Sequence, residues 1–215
     1  MSILKTLVQE KQQKIEEHPF YKLLLSGNIS PELYALYLWE QRGRYEAIED
    51  WLDGSSAFEG IEALKRYERV RDDFEEIWRG QLGKKFMPQP SRSTTDMHKR
   101  LKELVEDDIN DTMQGLAHVY VMHGDLLRIS KQMQDKVPGT GRMFDFEMPD
   151  ADLQTLLENK LTDEMAEEAR YSMDLKLYMF DMLWEIANPD THYCVDDCLH
   201  KNPPDPDYLN TADQV

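Results

Sequence analysis

The spacing of the apolar residues constrains this chain most: it is helical almost everywhere, and strand-like alternation is not found. Between residues 31 and 53, Leu33, Leu36, Tyr37, Trp39, Ile48, Trp51 and Leu52 recur at three- and four-residue steps. Such a stripe buries one helix face and leaves the other to solvent. Ser30 suits an N-cap, and Pro31 suits a first helical residue, where no N–H is needed. Segment 61–79 repeats the pattern with Ile61, Leu64, Tyr67, Val70, Phe74 and Ile77. Further helices are expected at about 2–16, 19–26, 96–107, 109–135, 150–160 and 163–187. Gly and Pro mark loops from Gly54 to Gly60, Gly80 to Thr95 and Val137 to Pro149. The expected fold class is all-α, a single bundle of about eight helices over residues 1–188. A polar, Pro-containing tail is expected over 189–215.

Charge narrows the partners. The 215 residues carry a net charge of -17. Residues 1–100 hold 16 basic and 17 acidic side chains, whereas residues 101–215 hold 9 and 25. Nucleic-acid and anionic-membrane binding rest on Lys and Arg meeting phosphates, so neither partner is expected. No apolar run reaches the length of a transmembrane helix, and the N-terminus lacks the apolar core of a signal peptide. With two cysteines, a disulfide framework is not expected, and the placement expected is cytoplasmic.

Familiar catalytic spacings are missing. None of the six histidines has a Glu three residues before it, as the Glu-x-x-His pairs of di-iron bundles require. Glu46 with Glu49, and Asp174 with Asp181, could each share a helix face, but solvated surface is the simpler reading. The tail run His192, Cys194, Cys198 and His200 offers zinc four donors; the alternatives are a disulfide or two free thiols. A glycine at 124 interrupts a helical segment and is followed by Asp125. A glycine there either lets a backbone or flat ligand approach closely, beside an Asp that orders water, or is a small residue at a helix crossing beside a surface Asp.

At this point a resemblance enters. Ala117-His118, Tyr120 and Gly124-Asp125-Leu126 resemble the distal-helix signature of heme oxygenases. Phe144-Asp-Phe146, Glu167-Glu168-Ala169-Arg170 and Leu177-Tyr-Met-Phe180 follow that family's order. His18-Pro19-Phe20, Gly27, Ser30-Pro31 and Tyr37-Leu38 resemble the wider superfamily, including its TenA-like and pyrroloquinoline-quinone-synthesis branches. The resemblance spans residues 1–187 and implies a heme held between an early proximal helix and a kinked distal helix. It places Gln12 where the family has its iron-ligating His, Glu16 one turn later, and Lys5 at a basic anchor for the heme carboxylates. Gly124, Tyr120 and Arg128 would line the distal side, and Asp125 would order the proton-delivering water.

Several departures accompany it. A Gln amide is a poor heme ligand. His18 precedes Pro19 and suits a helix junction. Leu127 and Arg128 stand where the family has small residues, so Arg128 would cover the site or pair with an acid. His123 would either enter the pocket or stay partly exposed. Among the later anchor positions only Lys160 is basic. The TenA-like branch needs a cysteine in the body, and the di-metal branch needs His in helices 31–53 and 163–187, which have none.

Three functions follow. The first is a heme oxygenase-like protein that binds a tetrapyrrole, heme, and opens it to biliverdin. The second is a non-catalytic binding or regulatory module whose acidic half meets a basic protein partner. The third is an enzyme acting on another small metabolite in a pocket of Tyr37, Glu40, Tyr120 and Asp125.

Overall fold

The computed structural model describes residues 3–53, 56–107 and 113–188. Regular structure among them is entirely helical. Eight α-helices are α1 (Ile3–Glu17), α2 (Pro19–Ser26), α3 (Pro31–Leu52), α4 (Tyr67–Glu75), α5 (Arg92–Asp107), α6 (Leu116–Met133), α7 (Asp150–Glu158) and α8 (Ala166–Ala187). Among these residues no helix is long and apolar enough to cross a membrane. The tail, with His192, Cys194, Cys198 and His200, lies outside the described residues.

Caps start and stop these helices largely as the sequence suggests. The Ser30 hydroxyl accepts from the Leu33 N–H at 3.2 Å and opens α3. His18 caps α2: its Nδ1 accepts from the Phe20 N–H at 3.1 Å, while its Nε2 reaches Asp181 at 3.0 Å. It is therefore a junction residue between α1, α2 and α8. Gly27 ends α2 at φ 74°, a left-handed conformation that glycine adopts without strain.

Helix α8 is the centre of the bundle and packs against α1, α2, α3, α5 and α6. Its Phe180 meets Phe20 with ring centres 5.2 Å apart and Tyr21 at 6.1 Å, which seats α2. Leu183, Met179 and Ala169 continue the buried stripe. Each large apolar side chain taken out of water this way contributes about 1.5–3 kcal/mol before entropy is counted.

Three expectations change. The segment expected as one helix over 61–79 divides into a short turn at Glu62–Leu64, then α4, then a π-helical turn at Glu76–Gln81. The reason is distant in sequence: the Glu49 carboxylate on α3 accepts from the Arg66 N–H at 2.5 Å and the Tyr67 N–H at 2.8 Å. That external cap starts α4 at Tyr67. Helix α5 begins at Arg92 rather than 96, because buried Glu40 accepts from the Ser91 N–H at 2.9 Å and from the hydroxyls of Ser91 and Thr94. Helix α6 runs through Gly124 without interruption.

Candidate functional site

Helices α1, α6 and α8 converge on Asp125. Its side chain is 7% exposed and takes donors from all three elements. Lys176 of α8, also 7% exposed, donates to Oδ2 at 2.7 Å and to the Val121 carbonyl at 3.3 Å. The Gln12 amide of α1 donates to Oδ1 at 2.5 Å, and Arg128 of α6 donates to the same oxygen at 2.7 Å. Glu16 closes the ring: it accepts from Arg128 at 2.6 Å and from Gln12 at 3.2 Å.

The electrostatics follow from this crowd. Burial by itself raises the Asp125 carboxyl, but the ammonium of Lys176, the guanidinium of Arg128 and the hydrogen bonds from Lys176 and Gln12 outweigh it. The net direction is downward, so Asp125 stays ionised at neutral pH. Tyr21 stands beside it, its hydroxyl pushed up to about 12 by burial and then by the Asp125 charge. Tyr37 is raised for the same leading reason.

Behind this ring lies a cavity of about 20 Å³, lined by Tyr21, Tyr37, Gln41, Asp125, Lys176 and Phe180 among others. That is room for about one water molecule, whereas small-molecule pockets span about 300–1,000 Å³.

The structure brings together Gln12, Glu16, Asp125 and Arg128 from the sequence reading. Arg128 pairs with two acids. Gly124 sits on the same helix, and a Cβ added to it would meet nothing within 4 Å. Tyr120 is half-buried on α6, raised by burial and then by Glu158 and Asp125, and does not line the cavity. The backbone of Lys5 falls in α1, and its side chain lies outside the described residues. Glu40 is absent from the pocket, since it holds the start of α5. His123 is neither in the pocket nor exposed. It is buried against the carbonyls of Val119 (2.7 Å) and Leu64 (2.6 Å), and burial pushes its pKa down to about 4 despite those two contacts. The suggested acid pairs are engaged elsewhere: Asp174 with Lys11, Asp181 with His18, Glu46 with Arg42, and Glu49 at the cap of α4. Among the described residues no cluster of three metal-binding side chains forms.

Three solved structures share this arrangement of helices. Heme oxygenase from Leptospira interrogans matches with a TM-score of 0.66 and 20% identity, over 85% of this chain and 100% of that one. Heme oxygenase-1 from the cyanobacterium Synechocystis sp. PCC6803, in complex with heme, gives 0.69 and 16% over 93% and 100%. The chain has a heme oxygenase-like fold. Heme oxygenase-2 from Synechocystis sp. PCC 6803, in complex with heme and NO, adds 0.67 and 19% over 94% and 93%. No family model and no curated protein sequence matches the chain.

The fold raises the question of heme, and the residues present do not fit it. A flat ring between α1 and α6 needs about 3.5 Å of clearance on each face, hence about 7 Å between the flanking groups. Here Gln12 and Asp125 touch at 2.5 Å. Helix α1 has no imidazole, and the first His in the chain is engaged at the α2 cap.

Sequence reasoning missed Lys176, Tyr21 and Gln41. Lys176 carried a signal: it falls on the buried stripe of α8 with Ala169, Ser172, Met173, Met179, Phe180 and Leu183. A lysine at such a position needs a carboxylate or a cavity.

Proposed function

We propose that this protein uses a heme oxygenase-like fold as a non-catalytic binding module, with its interhelical slot closed by its own side chains. The observation that carries this reading is the 2.5 Å hydrogen bond from Gln12 to Asp125. It spends on each other the two positions that the family resemblance assigns to the iron ligand and the distal acid. Asp125 also has little capacity left to order a proton-delivering water, because three donors already occupy its oxygens. Lys176 and Arg128 then serve as counter-ions to a structural carboxylate.

Titration with hemin tests the reading. The expected result is no saturable Soret band beyond that of free hemin, and no bilin spectrum after reductant is added. The Gln12→His variant is expected to give no turnover either, since the Arg128–Asp125–Lys176 charges remain on the distal side. A saturable band in the wild-type chain that reductant converts to a bilin spectrum refutes the proposal.

One observation favours a second reading, in which the chain binds a tetrapyrrole after α1 moves away. The open space beside Gly124 leaves the α6 backbone uncovered at that one residue, where a flat ligand would lie against it. Binding of hemin without turnover is the outcome that selects it.

A further inference from the structure

We propose that the loop leading into α5 is a docking finger for a partner protein, in which Phe86 enters an apolar pocket and Lys85 meets carboxylates at its rim. Phe86 is 88% exposed, and among the described residues the next most exposed large apolar side chain is Ile186 at 50%. Single apolar residues on a surface are ordinary. A ring left almost wholly bare on a pinned backbone is different, because collapse would fold a mobile loop over it.

The backbone here is pinned. The Trp78 indole N–H donates to the Phe86 carbonyl at 3.0 Å. The Lys84 N–H donates to the Trp78 carbonyl and the Leu82 N–H to that of Ile77, each at 2.9 Å. Gly83 turns the chain at φ 64°, and Pro88 and Pro90 stiffen its return. Met87 tucks against the core while Phe86 points away. An aromatic anchor held in place before binding loses little freedom on binding, and such anchors dominate interface energetics.

Charge identifies the partner's rim. From Arg79 to Arg92 the sequence has four basic and no acidic side chains, within a chain of net charge -17. Arg79 pairs with Glu75, Lys84 with Glu32 and Arg92 with Asp96. No ion pair of Lys85 occurs among the described residues. The finger is thus a basic point on an acidic protein, complementary to carboxylates. An anionic bilayer or a nucleic acid would present its charge over a wide footprint and meet this chain's own acids. A single pocket meets only the finger, and one ring calls for one pocket.

The test replaces Phe86 by the photoreactive p-benzoylphenylalanine in the full chain, with the same replacement at the exposed apolar Leu156 as control. After irradiation in a lysate of the producing organism, proteins enriched at position 86 are identified, purified and titrated against the full chain. Vesicles of equal parts phosphatidylserine and phosphatidylcholine, and a DNA duplex, form parallel arms. Phe86→Ser is expected to weaken the purified protein's binding by about 30-fold, and Lys85→Glu by about 5-fold at low salt, with unfolding unchanged. The proposal is overturned by an absence of adducts above the Leu156 control, by equal binding of Phe86→Ser, or by Phe86-dependent binding to vesicles or DNA instead. None of these results bears on the hemin titration, so the two readings fail separately.

Discussion

The buried pair of Lys176 and Asp125 makes a quantitative prediction. Their charged atoms are 2.7 Å apart, and each side chain is 7% exposed. At an effective dielectric of 20 the Coulomb attraction is about 6 kcal/mol, and desolvation of both groups offsets much of it. Removing one partner of such a pair strands the other, at a typical cost of about 3–5 kcal/mol. Lys176→Met leaves Asp125 with Gln12 and the half-exposed Arg128, so the lower end, about 3 kcal/mol, is expected. Asp125→Asn strands the ammonium of Lys176 and is expected to cost about the same. The double variant removes both charges and should lose only about 1–2 kcal/mol, far less than the summed singles. In a chain of this size a loss of 3 kcal/mol lowers Tm by about 6–12 °C. Urea unfolding followed by circular dichroism measures all four corners of the cycle, with m-values confirming that the same surface is exposed. If the two single losses add to within about 0.5 kcal/mol, the pair is not an interacting unit, and the role of Lys176 as counter-ion to Asp125 falls with it.

Other predictions are independent of that cycle. His123, pushed from 6.5 down to about 4, takes up its proton more readily unfolded than folded, so acidification across that window destabilises the fold, by up to about 3 kcal/mol. The difference in unfolding free energy between pH 7 and pH 4.5 should shrink in His123→Gln, and an unchanged slope would assign the effect to other groups. Gly141 lies at φ 62°, and a Cβ there would come within 2.8 Å of the Gln134 carbonyl. Gly141→Ala should therefore lower stability by about 1–3 kcal/mol, read as a drop in Tm. Glu40→Ala strips the start of α5 of three donors' acceptor and should cost about 2–4 kcal/mol. Hydrogen exchange in that variant should rise first in residues 91–95, and uniform exchange would place the role of Glu40 elsewhere.

Much of the fold was legible because its signals are local. Ser30 and Pro31 announce α3, His18 and Pro19 the break before α2, and Gly27 its end. The start of α4 was not legible, since a carboxylate on α3 reaches across space to the Arg66 and Tyr67 amides. No window of sequence around residue 66 contains that information. The candidate site divides in the same way. The resemblance to heme oxygenases, rather than any spacing, put Gln12, Glu16, Asp125 and Arg128 into one neighbourhood on paper. Which of them face a ligand and which face each other depends on interhelical distance, which spacing does not encode. Lys176 stood on an apolar stripe in plain view, but its partner lies 51 residues away in α6.

The seam between α1 and α8 has a consequence for the order of assembly. The pairs Lys11–Asp174 and His18–Asp181 each join residues 163 apart. A ribosome adding about 5–20 residues per second leaves α1, which packs against α8 in the finished fold, without this seat for roughly 8–30 s. For that interval the newborn chain is a groove without a lid, and any chaperone or ligand that meets it then encounters a surface the finished protein hides.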